Sequence, residues 1–128
     1  MPDNSKAILF DRIALVGIGL IGSSVARVVK RDGLAEHIAA TARSRKTLET
    51  AIRMGLADSV TLEPAEAVKD ADLVMICSPM RTYKAVMKDI APNLKPGAIL
   101  TDVGSVKASA IRALSPKLPT AVHLVPAH

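Results

Sequence analysis

Aromatic side chains are nearly absent from this sequence of 128 residues, which contains one Tyr, one Phe and no Trp. Nucleic-acid-binding modules that stack bases on aromatic rings are therefore disfavoured. The single cysteine excludes an intrachain disulfide and is typical of a reducing compartment. No apolar run approaches the roughly 20 residues of a membrane helix, and the N-terminus has no signal-peptide pattern. We expect a cytoplasmic protein that binds neither nucleic acid nor membrane, and we predict no metal site.

Apolar residues make up 49% of the chain, which is enough for one domain with a well-buried core. The net charge of +5 has two interpretations. The lysines and arginines can lie on solvated helix faces, or they can attract an anionic cofactor or substrate.

A glycine motif follows the first apolar segment, at Gly17-x-Gly19-x-x-Gly22, and a helical pattern begins at once. This spacing lets the backbone turn sharply, approach a pyrophosphate and pack the helix close to the strand. The phosphates would bind the free N–H groups at the start of the helix, at Leu20 and Ile21. The alternative is a tight strand-to-helix turn without a ligand.

Six short apolar segments, mostly separated by helices, predict alternating strands and helices. The strands are expected at Arg12–Val16, His37–Ala42, Asp58–Thr61, Leu73–Cys77, Ala98–Thr101 and Thr120–Leu124. Right-handed crossovers make this an α/β domain with an open, doubly wound parallel sheet. With the glycine motif, the expected architecture is a Rossmann fold over residues 1–128, with strand order 3-2-1-4-5-6.

Three helices have apolar stripes that should face the sheet. Ser44 and Thr82 are the expected N-caps of the second and third. The inward residues are expected to be Ile21, Val25, Val28 and Val29 in the first helix, Leu48 and Ile52 in the second, and Tyr83, Val86, Met87 and Ile90 in the third.

The end of the second strand indicates which cofactor would bind. An NAD site usually has Asp or Glu about 20 residues past the glycines, where it binds the ribose hydroxyls. Here that region carries Arg43, Ser44 and Arg45, and no carboxylate. A guanidinium pairs well with a phosphate, and serine can donate to it. We therefore predict NADP, with NAD as the alternative.

Two further loops follow strands at the ligand-binding edge. Cys77, Ser78 and Pro79 end the fourth strand and are expected to lie along the cofactor. Cys77 is best interpreted as a core residue rather than a nucleophile. Gly104 and Ser105 follow the fifth strand, where Ser105 can cap a helix, orient a substrate or nicotinamide, or do both.

The three histidines differ in their expected positions. His37 precedes the second strand, on the edge away from the ligand, and should be exposed. His123 lies within the sixth strand and is best interpreted as structural. His128 follows that strand on the ligand side of the sheet.

These motifs resemble the prephenate/arogenate (cyclohexadienyl) dehydrogenases of tyrosine biosynthesis. The resemblance extends from about Phe10 to His128, and its most specific part is Gly104-Ser105-Val106-Lys107 followed by Pro126-Ala127-His128. It implies that His128 is the catalytic histidine and that Ser105 contacts nicotinamide and substrate. It also implies that a helical C-terminal domain, which forms a homodimer and completes the substrate site, is absent from this sequence.

The implied reaction is the oxidative decarboxylation of prephenate or arogenate, with hydride transfer to nicotinamide and loss of carbon dioxide. A neutral His128 would accept a proton or hydrogen bond from the ring hydroxyl. The fragment alone should bind cofactor but have little or no activity. Two alternatives remain open: another NADP-dependent oxidoreductase of the hydroxyacid dehydrogenase or imine reductase type, and a non-catalytic nucleotide-sensing module.

Overall fold

The computed structural model describes residues 8–104 and 107–126, with Lys107 described by its backbone alone. Its elements alternate along the chain. They are β1 (Phe10–Val16), α1 (Leu20–Asp32), β2 (Ala35–Thr41), α2 (Arg45–Arg53), β3 (Ser59–Thr61), α3 (Pro64–Ala67), β4 (Leu73–Ile76), α4 (Tyr83–Ile90), β5 (Ile99–Asp102), α5 (Lys107–Leu114) and β6 (His123–Leu124). Short 3-10 turns lie at Met80–Thr82, Ala91–Asn93 and Ser115–Lys117.

The strands form one parallel sheet in the order β3-β2-β1-β4-β5-β6. The predicted Rossmann fold and its strand order are confirmed. Two apolar clusters cover its two faces: one joins the sheet to α1 and α2, and the other joins it to α4 and α5. Because both faces of the central strands are covered, these strands are apolar rather than alternating in sequence.

Helix α1 confirms half of the predicted stripe, since Val29 is buried and Val25 packs against the core, and corrects the other half. Its buried residues are Gly22, Ala26 and Val29, whereas Ile21 and Val28 are 52% and 41% exposed. The helix axis lies so close to the sheet that only glycine and alanine fit beneath its first two turns. The inward face is therefore displaced from the row of large apolar residues.

Helices α2 and α4 also differ in detail from the sequence prediction. In α2, Ala51 is buried beside Leu48, and Ile52 is 45% exposed. Thr82 occupies the N-cap position of α4, but its side chain makes no capping hydrogen bond. It ends a 3-10 turn, and its hydroxyl donates to the Pro79 carbonyl at 2.6 Å instead. The Ser44 cap of α2 is confirmed, with its Oγ accepting from the Thr47 N–H at 3.2 Å.

The histidines with described side chains both differ from expectation. His37 is half-buried, and its Nε2 lies 2.8 Å from Ser59 Oγ, because β3 pairs beside it. His123 is exposed, because β6 is a two-residue edge strand rather than the five-residue strand predicted. Neither side chain lies at the carboxyl ends of the strands.

Candidate functional site

Four loops meet where β1, β2, β4 and β5 end. Val16 pairs with Thr41 on one side and Ile76 on the other, and Ile76 pairs with Asp102. The four strands therefore end level with one another. The strand order reverses between β1 and β4, and ligands of open α/β sheets bind at such a point, beyond the carboxyl ends of the strands.

The turn after β1 requires glycine at its first position. Gly17 has a φ of +85°, and a Cβ there would lie 2.8 Å from the Cβ of Ser78. The N–H groups of Gly17 and Ile18 both donate to the Thr41 carbonyl, at 3.0 and 2.7 Å. The turn is thus held between β2 and the loop after β4.

Helix α1 presents unbonded N–H groups to this crevice. Its first backbone bond runs from the Ser23 N–H to the Gly19 carbonyl at 2.9 Å. Within the described part of the chain, the N–H groups of Leu20, Ile21 and Gly22 have no acceptor. A Cβ at Gly19 would meet nothing within 4 Å, so the space above the helix is open. The helix dipole and these donors suit a phosphate.

Gly22 brings α1 close to the end of β4. A Cβ at this position would lie 3.5 Å from both Cβ and Sγ of Cys77. Burial raises the pKa of the Cys77 thiol to about 12. The side chain therefore remains a neutral thiol that packs beneath the helix, in agreement with its interpretation as a core residue.

Two neighbouring cavities form the crevice, with volumes of about 330 and 270 Å³. Both are lined by Gly17, Ala42, Arg43 and Ser78. The larger adds the apolar side chains Val16, Leu62, Pro64 and Val86 with the hydroxyls of Thr41 and Thr82, and the smaller adds Ile18, Gly19, Ser44, Thr47, Cys77 and Pro79. The larger suits a planar base, and the smaller suits ribose and phosphates.

The hydroxyl groups beside the larger cavity are linked in a chain. Thr82 Oγ1 lies 2.7 Å from Ser78 Oγ and donates its own hydrogen to the Pro79 carbonyl. Ser78 is therefore the donor to Thr82, which leaves the lone pairs of the Ser78 hydroxyl available to a ligand.

The basic residues after β2 separate in the structure. Arg43 lines both cavities, and Ser44 and Thr47 line the smaller one. Arg45 instead lines a different cavity of about 600 Å³ between α2 and β3. No Asp or Glu is among the described residues that line the two cofactor-sized cavities.

A buried carboxylate lies at the end of β5, and the sequence analysis missed it. Asp102 is 1% exposed, and its Oδ2 accepts hydrogen bonds from Tyr83 Oη and from the Gly104 N–H, both at 2.8 Å. Burial raises the pKa of the Tyr83 phenol, and the hydrogen bond to Asp102 raises it further. The only signals were an acid ending an apolar strand and the chain's single tyrosine.

The two residues predicted to be catalytic, Ser105 and His128, lie outside the described residues. The structure therefore places Gly104, but not the two side chains expected to act on a substrate. In the part of the chain that the structure describes, no helix is long and apolar enough to cross a membrane.

Comparisons with known proteins agree with this geometry. Residues 25–128 match the family described as "Prephenate dehydrogenase, nucleotide-binding domain". Over 120 residues the chain is 39% identical to cyclohexadienyl dehydrogenase of Zymomonas mobilis. This match covers 94% of this chain and 41% of that protein. It is also 39% identical over 100 residues to the NADP(+) ketol-acid reductoisomerase of Chloroherpeton thalassium, covering 77% of this chain and 28% of that protein.

A solved relative has the same fold. Prephenate dehydrogenase from A. aeolicus, in complex with hydroxyphenyl propionate and NAD+, superposes with a TM-score of 0.78 at 28% identity. The match covers 88% of this chain and 40% of that one. This chain thus spans well under half the length of these relatives. By sequence and by fold, it belongs to the family of prephenate dehydrogenase nucleotide-binding domains.

Proposed function

We propose that this chain is the cofactor-binding half of a dehydrogenase that oxidatively decarboxylates prephenate or arogenate in tyrosine biosynthesis. The proposal rests on the start of α1, in a chain of this family. There, backbone N–H groups that have no acceptor among the described residues face an open crevice. A helical C-terminal domain would complete the substrate site and form a homodimer. The 128 residues alone should bind cofactor without turnover.

The preferred cofactor is NADP, with NAD as the alternative. Arg43 lines both cavities, Ser44 lies beside it, and no carboxylate lines them to repel a 2′-phosphate. The A. aeolicus relative was solved with NAD+, so the preference here rests on the residues after β2.

Replacing Arg43 by alanine tests this preference. We expect Arg43→Ala to weaken NADPH binding about tenfold, the value of one charge-assisted hydrogen bond, and to change NADH affinity less than about twofold. Fluorescence titration of the chain with each nucleotide measures both constants. Arg53→Ala is the matched control, because Arg53 is exposed and lines the other cavity. Tighter binding of NADH than of NADPH by the unmodified chain would overturn the NADP preference.

The catalytic roles follow from the family resemblance. A nicotinamide cofactor, when bound, supplies the hydride acceptor. We propose that His128 takes the proton of the ring hydroxyl and that Ser105 orients the substrate against nicotinamide. Loss of the ring carboxylate as carbon dioxide then gives an aromatic product.

Replacing His128 by glutamine in the gene product at its natural length tests the first role. Removal of a general base should lower kcat at least about 100-fold, and the cofactor Kd should stay within about twofold because the proposed role of His128 is toward the substrate and not the cofactor phosphates. The assay uses prephenate and arogenate with NADP+ and NAD+. Unchanged turnover would remove His128 from the mechanism.

A second candidate is another NADP-dependent oxidoreductase. The similarity to an NADP(+) ketol-acid reductoisomerase favours this candidate, since that relative matches 77% of the chain at 39% identity. The same assay separates the candidates, because such an enzyme would turn over neither prephenate nor arogenate. A purely nucleotide-sensing protein would bind cofactor and oxidise no substrate.

A further inference from the structure

We infer that Tyr83 and Asp102 are positioning residues, which together hold the backbone at Gly104, just after β5, against the nicotinamide half of the cofactor. The inference rests on the proposed function, since it needs a dinucleotide in the crevice. It assigns a role to the buried cluster of Tyr83 and Asp102 at the end of β5. None of the cofactor contacts described above involves this cluster.

The cluster is buried and joined by hydrogen bonds. Tyr83 is fully buried at the start of α4, and Asp102 is 1% exposed at the end of β5. A single carboxylate oxygen of Asp102 joins Tyr83 Oη to the Gly104 N–H. Two separate elements therefore determine where the backbone at Gly104 lies.

Gly104 has no room for a side chain. A Cβ there would lie 2.5 Å from Met80 Cε, the end of a flexible side chain, 2.7 Å from Asp102 Oδ2 and 2.8 Å from Tyr83 Oη. A larger residue would have to move the loop or break one of the hydrogen bonds. The requirement for glycine here thus comes from the buried cluster, unlike the requirement at Gly17, which comes from the turn.

The position of the loop in the sheet indicates which half of the dinucleotide it meets. The pyrophosphate binds at α1, above the centre of the sheet, and the residues after β2 bind the adenosine half. The other half must extend in the opposite direction, over β4 and then β5. Gly104 lies at the end of β5, so its loop borders the nicotinamide side.

Tyr83→Phe in the 128-residue chain tests the inference. The readout is the contribution of the nicotinamide ring, measured as the Kd of ADP-ribose divided by that of NADH, and the Kd of 2′-phospho-ADP-ribose divided by that of NADPH, since the first member of each pair lacks only this ring. Loss of the phenol hydroxyl should reduce this preference for the whole dinucleotide about three- to tenfold. The Kd values of ADP-ribose and 2′-phospho-ADP-ribose should change less than twofold. Gly104→Ala should have the same effect through the opposite change, a side chain added rather than removed.

Ile90→Val is the matched control, because Ile90 is equally buried at the far end of α4. It should lower the Tm without altering the preference, which separates positioning from general destabilisation. An unchanged preference in a folded Tyr83→Phe chain, or a parent chain that binds both members of each pair equally, would overturn the inference and leave cofactor binding intact. Failure of the parent chain to bind any of the four ligands would instead contradict the proposed function.

Discussion

The three glycines of the motif have three different surroundings. Gly17 has a positive φ and contacts Ser78, so a side chain there is strained and has no space. Gly22 lets α1 approach Cys77. Gly19 is different, because a Cβ would extend only into the open space where a phosphate would bind. The motif therefore combines a folding requirement at Gly17 and close packing at Gly22 with open space at Gly19, where we propose that a phosphate binds.

Gly19→Ala should separate binding from stability. Since nothing lies within 4 Å of the added Cβ, we expect a Tm close to that of the parent chain. A methyl group in the phosphate position should weaken NADPH binding at least about tenfold, or 1.4 kcal/mol. Calorimetry and nucleotide titration measure the two effects. Gly17→Ala is the comparison, and should lower the free energy of unfolding by about 2 kcal/mol. Full nucleotide affinity in Gly19→Ala would place the phosphates elsewhere.

One carboxylate, that of Asp72, connects three strands at the end of the sheet away from the crevice. Asp72, just before β4, accepts hydrogen bonds from the N–H groups of Asp11 and Arg12 at 2.8 and 3.1 Å. It also pairs with Lys95, which precedes β5. The Lys95 hydrogen bond lowers the pKa of the Asp72 carboxyl against the opposing effect of burial, and the two backbone donors lower it further. This residue thus aligns β1, β4 and β5 at the end away from the crevice.

Asp72→Asn should make the protein less stable in a pH-dependent way. Because the folded-state pKa is depressed, the carboxylate stabilises the fold above its unfolded pKa of about 4. That stabilisation is lost as the pH falls through the lower folded value. We expect the variant to be about 1–2 kcal/mol less stable at pH 7, with the difference shrinking below about pH 4. Urea unfolding at several pH values measures this. A difference that is constant from pH 7 to pH 3 would contradict the ionic origin.

At the scale of the whole molecule, the loops around the crevice and the ion pair of Asp72 and Lys95 lie at opposite ends of the strands. The loops after β1, β2 and β4 line the crevice, while the ion pair of Asp72 and Lys95 lies at the other ends of the strands. The crevice is open in the described residues. A ligand that contacts α1 and the loops after β2 and β4 should therefore raise the free energy of unfolding of the whole domain.

NADPH should raise the stability of the chain by mass action. At a free concentration of 100 times its Kd, a ligand that binds only the folded state adds about 2.7 kcal/mol. Urea unfolding with and without nucleotide measures this gain. Gly19→Ala is the control: at the same NADPH concentration, a Kd about tenfold higher should reduce the gain to about 1.4 kcal/mol. An equal gain in both proteins would indicate binding outside the crevice.

Local pattern was sufficient for much of this protein. The glycine spacing, the apolar segments and the Ser44 cap depend on short stretches of chain, and the strand order was predicted from the glycine motif together with the handedness of βα units. The family resemblance likewise depended on short stretches, above all residues 104–107 and 126–128. Periodicity was wrong for Ile21 and Val28 of α1, because Gly22 and Ala26 face the sheet in the first two turns, but it was right for Val29.

Only the tertiary structure decided which side chains meet. Arg43 and Arg45 are two residues apart, yet the start of α2 directs them to different cavities. Tyr83 and Asp102 are 19 residues apart and become partners because α4 packs beside β5. The sequence by itself determined the fold and the glycine turn after β1, since both depend on backbone conformation over short distances. The structure decided how the loop after β5 is held, because that depends on a long-range contact between buried polar groups, which no local pattern encodes.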